Sequence, residues 1–138
     1  MDRQEFSKIL ADYRVEKGIK VKELCFKLNY LPGDIRRIEK ASHSYNLQKC
    51  LDYLDAIGAQ MVLSTTKKNV KIKKYKDILS FVVKQRDGVY SQRGLAEAIG
   101  CSHVMIAYYE TERSVMTIDV LLKISDVLGF TLNIIPNE

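Results

Sequence analysis

Displaced by 71 positions, the sequence lies on itself without a gap from Lys20 onward. Leu24 then meets Leu95, Ile35 meets Ile106, Glu39 meets Glu110, Leu51 meets Leu122, Asp55 meets Asp126 and Gly58 meets Gly129. Leu28 with Ile99, Leu47 with Ile118 and Ile57 with Leu128 are conservative pairs. Upstream, Gly18 and Gly88 match at a displacement of 70, so one residue was gained or lost in the first turn. The matches fall at apolar positions and at caps, which constrains the chain to build the same small unit twice.

Each unit reads as helices. Phe6, Ile9, Leu10 and Tyr13 form an i, i+3, i+4, i+7 stripe that ends at Gly18. Val21, Leu24, Cys25 and Leu28 give a second run. A third passes through Ile35 and Ile38 behind Pro32, a residue suited to the first turn of a helix. Leu47, Cys50, Leu51, Leu54 and Ile57 give a fourth, closed by Gly58. In the second half, Leu95, Ala96 and Ile99, then Ile106 and Tyr109, make two short runs broken by Gly100-Cys101-Ser102, with Ser91 and Ser102 placed to cap them. That is helix, tight turn, helix.

Ser91 to Glu110 resembles the phage-repressor and Cro-like (XRE-type) helix-turn-helix family, whose pattern runs S-Q-x-x-L-A-x-x-(L/I)-G-x-S-x-x-x-I-x-x-x-E. The match falls at Ser91, Gln92, Leu95, Ala96, Ile99, Gly100, Ser102, Ile106 and Glu110, and Thr117 to Gly129 is similar to the family's next helix. The resemblance implies a double-stranded DNA partner, with the second helix of the motif in the major groove and its first residues at base edges. It places Gln92 at the start of the supporting helix and His103, Val104 and Tyr108 on the recognition helix. His103 can donate to purine N7 or O6, and Val104 can pack on a thymine methyl. Tyr108, beside Tyr109, is either a base reader or part of the core or an interface. Ser102, Arg93 and Arg113 are the expected phosphate contacts, together with backbone N–H groups at helix starts.

The first unit departs from the pattern. Lys20-Val21 stands for Ser-Gln, Tyr30-Leu31 for Cys-Ser, and Pro32-Gly33 occupies the places of His103 and Val104. Neither Pro32 nor Gly33 can hydrogen-bond a base with a side chain. Arg36, Arg37 and Lys40 remain, of which Arg37 is able to make a bidentate contact to guanine. Arg36 and Arg37 can equally pair with Asp34 or Glu39 at helical spacing. First-unit contacts to DNA are therefore expected to be mostly electrostatic.

A formal charge of +5 calls for an anionic partner, but it is unevenly spread. Six lysines lie between Lys67 and Lys76, whereas from Asp77 onward five basic residues face eight acidic ones. The positive field must then come from the lysine segment and the first half. Three widely spaced cysteines offer neither a disulfide framework nor a paired zinc site; Cys25 and Cys50 fall at core positions and Cys101 in the turn. No cofactor or catalytic constellation is visible, and the sequence is expected not to be an enzyme. With no apolar run near about eighteen residues and charges at the N-terminus, it is placed in the cytoplasm, away from membranes.

Residues 59–64 and 130–135 alternate at period two after the two glycines, which reads as one short strand per unit. Each needs a partner. The expected architecture is mainly α: two tandem lambda-repressor-like units, 1–66 and 77–138, joined by a basic linker at 67–76, their strands antiparallel as a pseudo-dimer. With Met61 opposite Leu132, Leu63 faces Phe130 and Ala59 faces Ile134. A domain-swapped homodimer is the alternative. The linker is either a solvated connector or, at Val70 to Lys73, an added edge strand. The function expected is sequence-specific transcriptional regulation, as a repressor. The alternatives are a protein-interaction adaptor, antitoxin-like, with a protein partner for one unit, and a remnant that binds only itself.

Overall fold

The computed structural model describes residues 1–137. Four helices, α1 (Arg3–Glu16), α2 (Val21–Leu28), α3 (Pro32–Lys40) and α4 (Leu47–Ala56), lead into strands β1 (Ala59–Ser64) and β2 (Asn69–Ile72). Four more, α5 (Tyr75–Arg86), α6 (Gln92–Ile99), α7 (His103–Glu110) and α8 (Ile118–Leu128), lead into β3 (Thr131–Pro136). Most of the helical stripes seen in the sequence are buried: Phe6 and Leu10 of α1, Leu24 of α2, Ile35 and Ile38 of α3, and Leu47, Cys50 and Leu54 of α4 all lie inside, whereas Ile9, expected on the α1 stripe, is exposed and Cys25, expected in the core, is half-buried. Side chains also cap three helix starts that the spacing did not single out. Asp2 accepts from the Glu5 amide, Asn46 from Lys49 and Thr117 from Val120.

Buried residues from both halves belong to one continuous core. Arg3 on α1 reaches α8 through an ion pair with Asp119, and its Nε donates to the Ala41 carbonyl at 2.9 Å. Tyr75, at the start of α5, accepts a 2.9 Å hydrogen bond from the Met116 amide. Asn46 and Thr117, the caps of α4 and α8, face each other in an antiparallel bridge. There the Leu47 amide donates to Met116 (2.8 Å) and the Ile118 amide to Tyr45 (2.9 Å).

The sheet is antiparallel, in the order β2-β1-β3. As expected, β1 and β3 pair within the chain, but the register differs by two residues. Met61 faces Ile134, Leu63 faces Leu132 and Ala59 faces Pro136, with Val62 opposite Asn133. The reason lies at the end of α8. Gly129 takes a left-handed conformation (φ 77°), and the Phe130 amide donates back to the Ser125 carbonyl at 3.1 Å, so that N–H belongs to the helix end rather than to a ladder. The Phe130 ring turns inward, edge-on to Phe81 with centroids 4.9 Å apart. A shift of two keeps the same faces together, and the apolar side survives intact.

Of the two forms expected for the segment 67–76, the added edge strand is the one observed, shifted one residue toward the N-terminus. The segment carries β2, which pairs with β1 from Ser64↔Asn69 to Met61↔Ile72, and the first two residues of α5. Ile72 is buried and Val70 packs on the core, an apolar pair that outweighs the charge of the flanking lysines. Alternation predicts one strand at the end of each unit; the first unit ends instead in a hairpin.

Cys50 is fully buried, and desolvation pushes its thiol from 9.0 up to about 12. The proton is retained in the folded chain while the unfolded chain ionises near pH 9, so this site subtracts stability as pH rises between about 9 and 12 and does nothing below that window. Native protein treated with a thiol reagent at pH 8 should lose Cys25 and Cys101, which are partly exposed, and retain Cys50 until it unfolds. Modification of all three at one rate would show that the core around α4 opens freely.

Candidate nucleic-acid interface

An exposed face of the second half is built on α6, a turn, and α7. Ser91 Oγ accepts from the Gly94 amide (2.9 Å) and opens α6, whose Leu95, Ala96 and Ile99 are buried. Gly100 adopts φ 78°, a value that costs a side-chain-bearing residue strain, and lets the chain turn sharply; the Cys101 amide then closes onto the Ala96 carbonyl. Ser102 Oγ accepts from Met105 (3.3 Å) to open α7. Ile106 and Tyr109 anchor α7 inward, three residues apart on one face.

What faces out follows from that phase. Ser102, His103, Val104 and Tyr108 are exposed. Spacing alone leaves open whether Tyr108 belongs to the core or the surface; it is on the surface, and its neighbour Tyr109 is the core residue. Arg113 lies over the Tyr108 ring, 5.7 Å from its centroid, which couples the loop after α7 to the helix face. Arg93 is exposed and makes no hydrogen bond or ion pair among the described residues. No acidic residue stands in the first turn of α7, so its free N–H groups keep their positive end for an anion.

Gln92 is held from below. Its Nε2 donates to Glu110 Oε1 at 3.2 Å, and Glu110 is gripped by Arg86 through Nε (2.9 Å) and Nη2 (2.8 Å). The third guanidinium nitrogen, Nη1, donates to the Tyr90 carbonyl at 3.1 Å. The Gln92 amide is thereby oriented, with its carbonyl oxygen uncommitted. Sequence reasoning missed Arg86. The first half holds the same device: Arg14 grips Glu39 at 2.6 and 3.0 Å, and its Nη1 donates to Ile19. Glu39 also accepts from Tyr53, whose phenol is pushed upward first by burial and then by the Glu39 contact. Two arginines ahead of two glutamates that match at 71 were the available signal, obscured because Arg14 and Arg86 stand 72 apart.

The corresponding face of the first half has a different chemistry. Asn29 replaces the turn glycine, at φ 56°. Leu31 starts α3 without a side-chain cap, and the Asp34 carboxylate folds back to accept from the Leu31 amide at 2.9 Å. Arg36, Arg37 and Lys40 are exposed; Arg36 Nε bends toward the Pro32 carbonyl at 3.4 Å, and neither arginine pairs with Asp34 or Glu39. On the same pair of helices Phe26 is 91% exposed and Leu31 73%.

Capped helix, left-handed glycine turn, and a second capped helix with an open outer face are the parts of one motif. Residues 90–135 match the helix-turn-helix family model. The match is of the XRE type and spans α6, α7, α8 and most of β3, a third of the chain. No curated protein and no solved structure matches. Among the described residues no helix is long and apolar enough to cross a membrane.

Proposed function

We propose that this chain is a sequence-specific, double-stranded DNA-binding transcriptional regulator, a cytoplasmic repressor that reads the major groove with α7. The observation that carries the proposal is the outer face of α7: His103, Val104 and Tyr108 exposed together on a helix whose supporting helix, cap and ion pair are all in place. His103 and Val104, at the start of α7, are the base readers. Ser102, Arg93 and Arg113 take phosphates, and Gln92 uses its free amide oxygen and remaining N–H at the groove edge.

The pairing of residues 71 apart, Val62 with Asn133 and Asn46 with Thr117, supports reading the halves as tandem units about a pseudo-two-fold axis. One chain would then imitate the dimers that span two half-sites about 34 Å apart. In that arrangement the first unit grips the backbone through Arg36, Arg37 and Lys40 and reads little, because Pro32 and Gly33 open its recognition helix.

A gel-shift titration against duplex DNA from the chain's own upstream region tests this. Binding should weaken with salt at a slope of about −0.9 per phosphate neutralised. His103→Ala should cost about 1–3 kcal/mol of discrimination between the best site and unrelated duplex, while Arg36→Ala should weaken all sequences alike. Absence of binding to any duplex at low salt refutes the proposal. A second reading, an adaptor that uses its first unit for a protein, is favoured by the exposure of Phe26 and Leu31.

A further inference from the structure

From the face formed by α2 and the start of α3 we infer a docking site for an acidic amphipathic helix of a partner protein, anchored on Phe26 and Leu31. The inference deepens the adaptor reading and does not depend on DNA binding by the second unit. Phe26 and Leu31 are the two most exposed large apolar side chains of the described residues, at 91% and 73%. At the positions 71 further on stand Glu97 and Ser102, a carboxylate and a capping hydroxyl that are content in water. An aromatic side chain left almost wholly in water on a rigid helix gains most when a partner covers it, and buried aromatic anchors dominate protein interfaces.

Charge selects the partner. From Lys20 to Lys40 six basic residues face three acidic ones, and two of the acids are occupied: Asp34 caps Leu31 and Glu39 holds Arg14. From Ser91 to Thr111 Arg93 stands against Glu97 and Glu110. The segment that carries the two exposed apolar side chains thus has a net charge of +3 (six basic less three acidic), and its complement is apolar and acidic. A helix meets both needs, since residues at i, i+3 and i+4 make an apolar seam with carboxylates on either side. Nucleic acid fits this end of α3 less well. Pro32 has no N–H to offer a phosphate, and Asp34 places a carboxylate in the first turn.

The test uses the full chain and a fluorescent synthetic peptide of about 20 residues, long enough to complete a helix on binding, with leucine at heptad a and d and glutamate at most other positions. Its control carries lysine in place of glutamate. The glutamate peptide should bind, and the double variant Phe26→Ser/Leu31→Ser should weaken it by roughly tenfold or more, as expected for loss of an aromatic anchor. The control should bind at least roughly tenfold less tightly at low salt. Both substituted residues are exposed and serine caps helices well, so the variant's melting temperature should not fall.

The inference is overturned if the glutamate peptide fails to bind, if the double variant binds it undiminished, or if the lysine peptide binds as well. It is also overturned if wild-type chain self-associates through this face in sedimentation, or prefers phosphatidylserine vesicles or single-stranded oligonucleotide to the peptide in a way the double variant abolishes. Duplex binding separates the two readings. Loss of duplex affinity in the double variant assigns the face to DNA and removes this inference alone; failure of the wild type to bind duplex, with peptide binding intact, removes the DNA proposal alone.

Discussion

Replacement of Glu110 by alanine is expected to lower the unfolding free energy by about 3–5 kcal/mol, because it strands a largely buried guanidinium without its carboxylate. The side chains of Arg86 and Glu110 are 15% and 10% exposed, and the pair is closed by two hydrogen bonds. Arg86 would keep its bond to the Tyr90 carbonyl and lose the other two. Urea denaturation should show a lower midpoint with an unchanged slope. A loss under about 1 kcal/mol would mean that water screens the pair as it does at a surface. The double replacement Arg86→Met/Glu110→Leu should recover most of the loss, since an apolar pair of similar volume removes the unpaired charge. Under the proposed function it should not recover duplex affinity, because Gln92, a groove-edge contact there, would still lack the carboxylate that orients its amide. That dissociation of stability from duplex affinity separates a merely structural pair from one that also positions the proposed contact at Gln92.

The second large effect concerns the join between the halves. In a Cys25→Ser/Cys50→Ala/Cys101→Ser background, cysteines at positions 62 and 133 should close an intramolecular disulfide, since Val62 and Asn133 are direct partners in the β1–β3 register. The closed loop is long, so the oxidised form should be more stable than the reduced form by about 2–4 kcal/mol. Cysteines at 60 and 133 should bridge poorly, because Gln60 faces Ile135 and stands diagonal to Asn133. The comparison discriminates between registers two residues apart. Intermolecular links alone, persisting on dilution, would instead reveal strands exchanged between two chains.

Much of the second half is legible in the amino-acid sequence. Ser91, Gly100, Ser102, Thr117 and Gly129 act at the helix ends where their chemistry predicts, and Leu95, Ile99, Ile106 and Leu122 bury the face their spacing selects. These are local matters, settled within about one helical turn by a side chain and the backbone groups beside it. The outward set of His103, Val104 and Tyr108 follows from the same phase. Its chemistry is readable even where Tyr108 and Tyr109 cannot be told apart, because adjacent aromatics differ by a rotation that only packing resolves.

Other features have no local cause. The strands at 59–64 and 131–136 are visible from alternation, yet alternation is unchanged by a slip of two; the Phe130 amide, committed to Ser125, and the Phe81 ring decide the register. Strand β2 is ambiguous in sequence because a lysine-rich run pairs only if a neighbour offers an edge, which β1 does once Val70 and Ile72 have an apolar bed. Arg86 and Glu110 are 24 residues apart and meet because α5 crosses α7. The amino-acid sequence by itself determined the helices, their caps and the face each one buries, since those depend on spacing within a turn or two. Tertiary structure alone decided the strand register, the edge strand, the ion pair beneath Gln92 and the exposure of Phe26, since each requires groups distant in the chain to compete for the same partner or the same water.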